Sequence, residues 1–263
     1  MQNAIAKTLF IPLAARLYAT QKFPEYFHDD VILRLREKIP ENFMKISSEY
    51  EMLASAARYH ETDLMIREFI SAHGVCNVVN LGCGLETLAF RIDDGQAKVY
   101  GIDLPEVISF RVDSLPVHKN ETLIAGDMFD MQWVERIQRD LPTIFVSNGV
   151  FMYFETAKIL NFVADLKKNF NNAELVFDAT TRWGIHCANF YVSRIDKDLA
   201  KMHFFVQNPE EFARRCDCKL VRFAHFFTTA REMLRKKTKF STRLLMAFVD
   251  TFDLAFLLRL KIS

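Results

Sequence analysis
The sequence predicts an α/β fold with a parallel, doubly wound sheet, and three observations carry that prediction. Five short apolar runs rich in β-branched residues recur after residue 75, and stretches with helical spacing separate them. The chain of 263 residues, 50% hydrophobic and 25% charged, is also long enough to bury one large core. A disordered tail and a fibrous chain are excluded by the same figures.

Taken in order, residues 8–20 and 29–39 place apolar side chains at helical spacing, as Val31, Leu33, Leu35 and Ile39 do. Residues 61–72 continue the pattern with Leu64, Ile66, Phe69 and Ile70. Residues 1–74 are therefore read as an N-terminal helical lid and 75–263 as the sheet-bearing domain, the two forming one compact unit. The period then shortens, and 77–81, 98–102, 122–125, 143–146 and 174–177 read as five strands buried on both faces. The clearest intervening helix is 155–170, where Ile159, Val163, Leu166 and Phe170 fall on one stripe. After the fifth strand, 182–208 is rich in aromatics, histidine and charge and is expected to form a cap insertion over the sheet's carboxyl edge. Pro209 opens a short helix to residue 215; 219–226 reads as a sixth strand, 230–250 as one long helix and 256–262 as a seventh strand.

Lys and Arg total 34 against 33 Asp and Glu, so the net charge of +1 offers no global field, and a small-molecule partner is expected rather than nucleic acid. From Arg231 onward eight basic residues face three acidic ones. That excess is expected to be a solvated helix face, not an RNA or membrane surface, because exposed stacking aromatics are not expected between the charges. The cysteines, Cys76, Cys83, Cys187, Cys216 and Cys218, form no Cys-x-x-Cys pair and have no histidine at zinc spacing. No metal is expected, and free thiols point to a reducing, cytoplasmic compartment. The first thirteen residues lack the features of a secretory signal, and the apolar run 244–260, broken by Asp250 and Asp253, falls short of the roughly 20 residues of a membrane span.

The strongest local signal is Val78-Val79-Asn80-Leu81-Gly82-Cys83-Gly84-Leu85-Glu86-Thr87, a strand feeding a Gly-x-Gly turn that opens a helix. Glycine there lets the backbone approach a ligand closely, with amides at the helix N-terminus facing it. Asp103 stands at the end of the second strand, where a carboxylate can accept two hydrogen bonds from a ribose diol. Dehydrogenases and methyltransferases share this much, but Thr87 occupies the place of the dehydrogenase's third glycine. At the end of the third strand, Asp127 and Met128 offer an acceptor for an adenine amine and a backbone amide for a ring nitrogen, unless Asp127 is simply a surface residue at a loop start. Three successive strand ends thus present nucleoside-binding groups at one sheet edge.

These residues, with Leu88-Ala89-Phe90-Arg91, Tyr100-Gly101-Ile102-Asp103-Leu104-Pro105-Glu106-Val107-Ile108 and Gly149-Val150-Phe151-Met152-Tyr153, resemble the leucine carboxyl methyltransferase superfamily. The match is closest to its tetracenomycin-polyketide-type O-methyltransferase branch, which Thr8-Leu9-Phe10-Ile11-Pro12-Leu13-Ala14-Ala15-Arg16 and Leu175-Val176-Phe177-Asp178 also resemble. The resemblance implies a class I, Rossmann-like sheet of seven strands, the last antiparallel. It further implies an enzyme that binds S-adenosylmethionine, methylates a carboxyl or hydroxyl oxygen and releases S-adenosylhomocysteine. Carried over, Gly82, Cys83 and Gly84 would line the methionine moiety, Asp103 and Leu104 the ribose, and Asp127 with Met128 the adenine. Arg58, in Ala56-Ala57-Arg58-Tyr59, matches the arginine that grips the cofactor carboxylate, for which a guanidinium's paired donors are suited. Two positions depart from the family: Asn148 stands where a glutamate usually reaches the cofactor's ammonium group, and Glu86 replaces the usual aspartate.

The sulfonium is already an activated donor, so the acceptor needs in-line positioning and exclusion of water; a carboxylate needs no base, whereas a phenol is helped by one. Tyr153, inside the matched motif, is the first candidate catalytic residue, and Arg16, Arg182, Trp183, His186, Tyr191 and His203 are candidate acceptor contacts. Many of the 25 phenylalanines fall beside or within the expected cap, which suits an acceptor apolar around its reacting oxygen. Two other readings stand beside an O-methyltransferase of small organic or polyketide-like acceptors: a non-catalytic cofactor-binding or interaction protein, and an NAD-dependent dehydrogenase. The identity of the acceptor and the oligomeric state are not legible in the sequence.

Overall fold
The computed structural model describes residues 3–39, 47–92, 95–195 and 201–262. Helix α1 (Asn3–Lys22) and the single turn α2 (Asp30–Arg34) precede α3 (Glu49–His73), which begins well before the stretch whose periodicity announced it. A reciprocal capping box starts α3: Ser48 accepts from the Glu51 amide and Glu51 accepts from the Ser48 amide, satisfying two donors that the first turn leaves free. Gly74, at φ +68°, ends the helix in a conformation that L side chains rarely adopt.

The chain then alternates through β1 (Cys76–Leu81), α4 (Leu88–Ile92), β2 (Ala97–Asp103), α5 (Pro105–Ser114), β3 (Glu121–Ala125), β4 (Thr143–Ser147), α6 (Thr156–Asn169) and β5 (Ala173–Thr180). Helix α7 (Arg182–Ile195) follows, then α8 (Pro209–Arg215), β6 (Lys219–His225), α9 (Thr228–Met233), α10 (Phe240–Thr251) and β7 (Ala255–Lys261). The seven strands make one sheet in the order β3-β2-β1-β4-β5-β7-β6, parallel except that β7 runs antiparallel to both neighbours. This is the class I, Rossmann-like arrangement.

Each face of the sheet carries its own core, because successive side chains of a strand point to opposite faces. Cys76 and Val78 of β1 join Leu53, Ile66 and Phe69 of α3 on one face; Val79 and Leu81 join Phe162, Val163 and Leu166 of α6 on the other. Lys98 of β2 is exposed, but the central strands β1 and β4 are buried throughout, as expected. β3 is not: it lies at the sheet's edge, and only Ile124 in it is buried. Its short apolar run fits a strand, but edge position is a property of strand order and leaves no mark in so short a segment.

The expected single helix over 230–250 is two helices. Glu49, at the start of α3, accepts from the Lys239 amide at 2.9 Å and from the Thr242 hydroxyl at 2.5 Å, so a carboxylate from a distant element caps α10 and sets where it begins. The expected cap, 182–208, comprises α7 and a return segment; residues 196–200 of it lie outside the described residues. The return segment runs beside the carboxyl end of β5: the Val206 amide donates to the Thr180 carbonyl at 2.9 Å and the His203 amide to that of Met152 at 2.7 Å.

Candidate active site
Strand order reverses between β1 and β4, opening a crevice at their carboxyl ends, the place where open α/β sheets bind ligands. On the β1 side the chain leaves the strand through Gly82, at φ +67°, where a Cβ would stand 2.6 Å from Val150. The Gly82 and Cys83 amides donate to the Ile102 carbonyl, tying the turn to β2. The Asp103 carboxylate accepts from the Gly84 amide at 2.7 Å and from the Leu104 amide at 2.8 Å, one bond on each oxygen. Burial pushes its pKa up, and these two amides and Arg111 pull the other way.

The turn's carbonyls are held as firmly as its amides. Arg111 of α5, fully buried, donates to Gly84 at 3.1 Å and also to the Glu86 carbonyl, and is itself anchored on Glu121 of β3 at 2.7 Å. Arg16 of α1 donates to the Leu85 carbonyl at 2.6 Å and pairs with Glu86 at 3.0 Å and Asp29 at 3.3 Å. Arg91 pairs with the same Glu86 and, through Nε, with Asp63 at 2.8 Å. Burial works against the Glu86 charge, but Arg16 and Arg91 outweigh it and hold the carboxyl down at about 2.

The β4 side presents a second glycine turn. Gly149, at φ +71°, donates its amide to Asp178 of β5 at 2.6 Å, and the other oxygen of that carboxylate accepts from Arg58 at 3.2 Å. A Cβ on Gly149 would meet the Arg58 guanidinium at 2.7 Å. Burial disfavours the Arg58 charge; the Asp178 carboxylate overcomes this and holds its pKa above the usual range. Its Nε, like the Ser55 hydroxyl one turn earlier, is buried without a hydrogen-bond partner. Asn148 accepts through Oδ1 from the Thr62 hydroxyl at 2.9 Å. Tyr153 is pushed up by burial and stays a neutral phenol at physiological pH.

These walls enclose a cavity of about 530 Å³, within the usual range for small-molecule sites. Of the residues singled out by sequence, Arg16, Arg58, Gly82, Cys83, Gly84, Asp103, Leu104, Asn148 and Tyr153 line it. Asp127 and Met128 do not: Asp127 is exposed and accepts from the Phe129 amide at 2.9 Å, closing its own turn, and Met128 is buried against Trp133. Arg182, Trp183, His186 and His203 also stand apart from the cavity. Arg182 lies over the Phe205 ring, Trp183 packs on Phe248 and Phe252, His186 is exposed and His203 sits beside Glu155. The side chain of Tyr191 lies outside the described residues. Arg16 is reached by the cavity but spent on carbonyl and carboxylate partners, so it braces the turn instead of presenting a free cation. Cys83 is a buried thiol with a raised pKa and is no nucleophile.

Sequence reasoning missed Arg111, Thr62, Tyr59 and the role of Asp178. Asp178 and Tyr59 carried a signal, as the last residues of the matched Leu175-Val176-Phe177-Asp178 and Ala56-Ala57-Arg58-Tyr59 runs. Tyr59 lies under both Arg16 and Arg58, whose guanidinium carbons are 5.2 and 5.3 Å from its ring centroid. Apart from Ser55 and Asn80, the remaining lining is apolar, and it includes Leu9, Ile11 and Pro12 of α1, with Met152, Phe154, Met202 and Phe226.

Residues 10–167 match the family model described as leucine carboxyl methyltransferase. Over 190 residues the chain is 23% identical to the tetracenomycin polyketide synthesis O-methyltransferase TcmP of Streptomyces glaucescens, covering 72% of this chain and 70% of that one. A duf574 family protein from Streptomyces avermitilis superposes with a TM-score of 0.59 at 12% identity, covering 94% of this chain and 96% of that one. The magnesium protoporphyrin IX methyltransferase of Synechocystis, solved with SAH, superposes with a TM-score of 0.51 at 12% identity over 85% of this chain and 94% of that one. At such identities these structures speak for the fold.

Proposed function
The chain belongs to the leucine carboxyl methyltransferase family, and from that premise we propose that it transfers the methyl group of S-adenosylmethionine to a carboxyl or hydroxyl oxygen of a small organic or polyketide-like acceptor. The observation that carries the reading is the pair of positive-φ glycine turns, after β1 and β4, that face each other across one cavity with Arg58 and Asp103 in its walls.

The residues fit the donor on their own chemistry. Arg58, with an unpartnered Nε beside an unpartnered Ser55 hydroxyl, would hold the carboxylate; Gly82 and Gly84 would let the amino-acid moiety lie against bare backbone; and each Asp103 oxygen keeps a lone pair for a ribose hydroxyl. The adenine contacts expected of Asp127 and Met128 are not part of this cavity and stay a separate proposal. When bound, the donor supplies an activated methyl group. The chain's own task is then to orient the acceptor oxygen, exclude water and match its protonation. The neutral Tyr153 hydroxyl would donate a hydrogen bond to that oxygen and so orient it; as a phenol with raised pKa it does not serve as base. The apolar wall from α1, Met152, Phe154, Met202 and Phe226 suits an acceptor that is hydrocarbon around its reacting oxygen.

Titration with S-adenosylmethionine and S-adenosylhomocysteine tests the first half. At 100 times the dissociation constant either should stabilise the fold by about 2.7 kcal/mol. No shift with either ligand would sink the proposal. Transfer of labelled methyl to a panel of carboxylic acids and phenols tests the second half, and release of methanol by mild base separates a methyl ester from an ether. Asn148, with its carbonyl already accepting from Thr62 and no charge to offer an ammonium group, favours one rival, a cofactor-binding protein without transfer. Binding with no product across the panel would decide for that rival.

A further inference from the structure
The basic residues Arg235, Lys236, Lys237 and Lys239 are exposed, as expected, but exposed aromatics not expected there stand beside them. Phe240, Leu244, Phe248 and Phe252 recur at four-residue steps along α10, and with Trp183 of α7 they are 42% to 67% exposed. The three rings at the end of this stripe pack on one another, Trp183 to Phe248 at 5.6 Å and Phe248 to Phe252 at 4.8 Å, so they form a cohesive apolar ridge, not scattered surface residues. The opposite side of α10, Met246 and Val249, is already buried in the core. A helix apolar on both sides expects a covering on both.

Charge indicates what covers the outer side. Between Leu234 and Val249 stand Arg235, Lys236, Lys237, Lys239 and Arg243, and no acidic residue. Among the described residues, Lys237 is the one of these five cations with an ion-pair partner, Glu25 at 2.5 Å. A second copy meeting this face about a two-fold axis would set like charges against each other. Aromatic side chains beside cations that outnumber the acidic groups near them, here Glu25 at Lys237 and Glu49 at the Lys239 amide, are instead the composition of an interfacial helix lying on an anionic bilayer. No described helix is long and apolar enough to cross a membrane, so contact would be with its surface. The face also adjoins the cavity's edge of the sheet: Ala255, just after α10, pairs with Thr180 at the carboxyl end of β5, from which α7 departs.

We propose that the exposed α10 ridge, Phe240, Leu244, Phe248 and Phe252 with Trp183, together with the cations around it, seats the protein on an anionic phospholipid surface. The proposal is independent of the methyl-transfer reading. Co-sedimentation of the full chain with vesicles of two parts phosphatidylcholine to one part phosphatidylglycerol tests it, against vesicles of phosphatidylcholine alone. Retention is expected on the anionic vesicles only, weakening as salt rises and the screening length falls from about 10 Å at 0.1 M to about 3 Å at 1 M. The double variant Lys236→Gln/Lys239→Gln, both at exposed positions, should weaken retention about thirtyfold. Phe240→Ser/Leu244→Ser should weaken it at least about tenfold. Circular dichroism of each variant shows that the fold is kept. Absence of retention at low salt, or retention indifferent to both variants, overturns the proposal. So does a dimer in sedimentation velocity that Phe240→Ser/Leu244→Ser dissolves, which would give the face to a second copy.

Discussion
Asn148 and Arg58 show how far one residue's chemistry depends on its neighbours. Arg58 is legible as the match to a family arginine, but its pairing with Asp178, 120 residues away, is not, because the two meet only where α3 packs against β5. Asn148 is legible as a departure from a family glutamate; that its carbonyl is engaged by Thr62 of α3 is a fact of packing. Restoring the charge with Asn148→Glu should tighten S-adenosylmethionine binding several-fold, about 1 kcal/mol, since a charge-assisted bond is roughly twice as strong as a neutral one. Calorimetric titration of both proteins checks this, and unchanged or weaker affinity would show that the nearby Asp178 carboxylate already supplies the field.

At the scale of elements, the joint between α1 and the glycine turn is held by charge buried under the site. Arg16 is 1% exposed and joins α1 to the Leu85 carbonyl, Glu86 and Asp29. Removing one partner of such a buried set leaves the others uncompensated, so Arg16→Met should destabilise the protein by about 3–5 kcal/mol in urea unfolding. Arg16→Lys should recover little of this, because an ammonium group cannot serve a carbonyl and two carboxylates from a planar fork. A loss under 1 kcal/mol (about the value of a surface pair) would mean that the network does not brace the turn. Most elements were readable from period and turn residues. The break between α9 and α10 was not, since it depends on Glu49 reaching Lys239 and Thr242 from another helix.

For the whole molecule, the buried charges set an acid limit. The folded-state pKa of Glu86 is about 2, below the 4.5 ordinary for its side chain, so its contribution is fully present above that ordinary value. Stability from this group is then lost as pH falls from about 4.5 towards 2. Denaturant midpoints across that window should fall more steeply for the wild type than for Glu86→Gln, which lacks the titrating group. Equal slopes would remove Glu86 from the account.

The sequence by itself determined the class of sheet, the glycine turn after β1, the acid after β2 and the family, because each rests on local spacing and backbone conformation that few residue types tolerate. Only the tertiary structure decided which of the named residues share a cavity, which charges lie buried beneath it, and which way α10 faces. Those are matters of long-range contact: Asp127 and Arg182 sit at plausible strand ends yet stand apart from the cavity, whereas Arg111 and Thr62, unremarkable in sequence, brace its backbone and engage Asn148, one of its two departures from the family. A helix period marks an apolar stripe but does not say whether a core, a second chain or a lipid surface covers it.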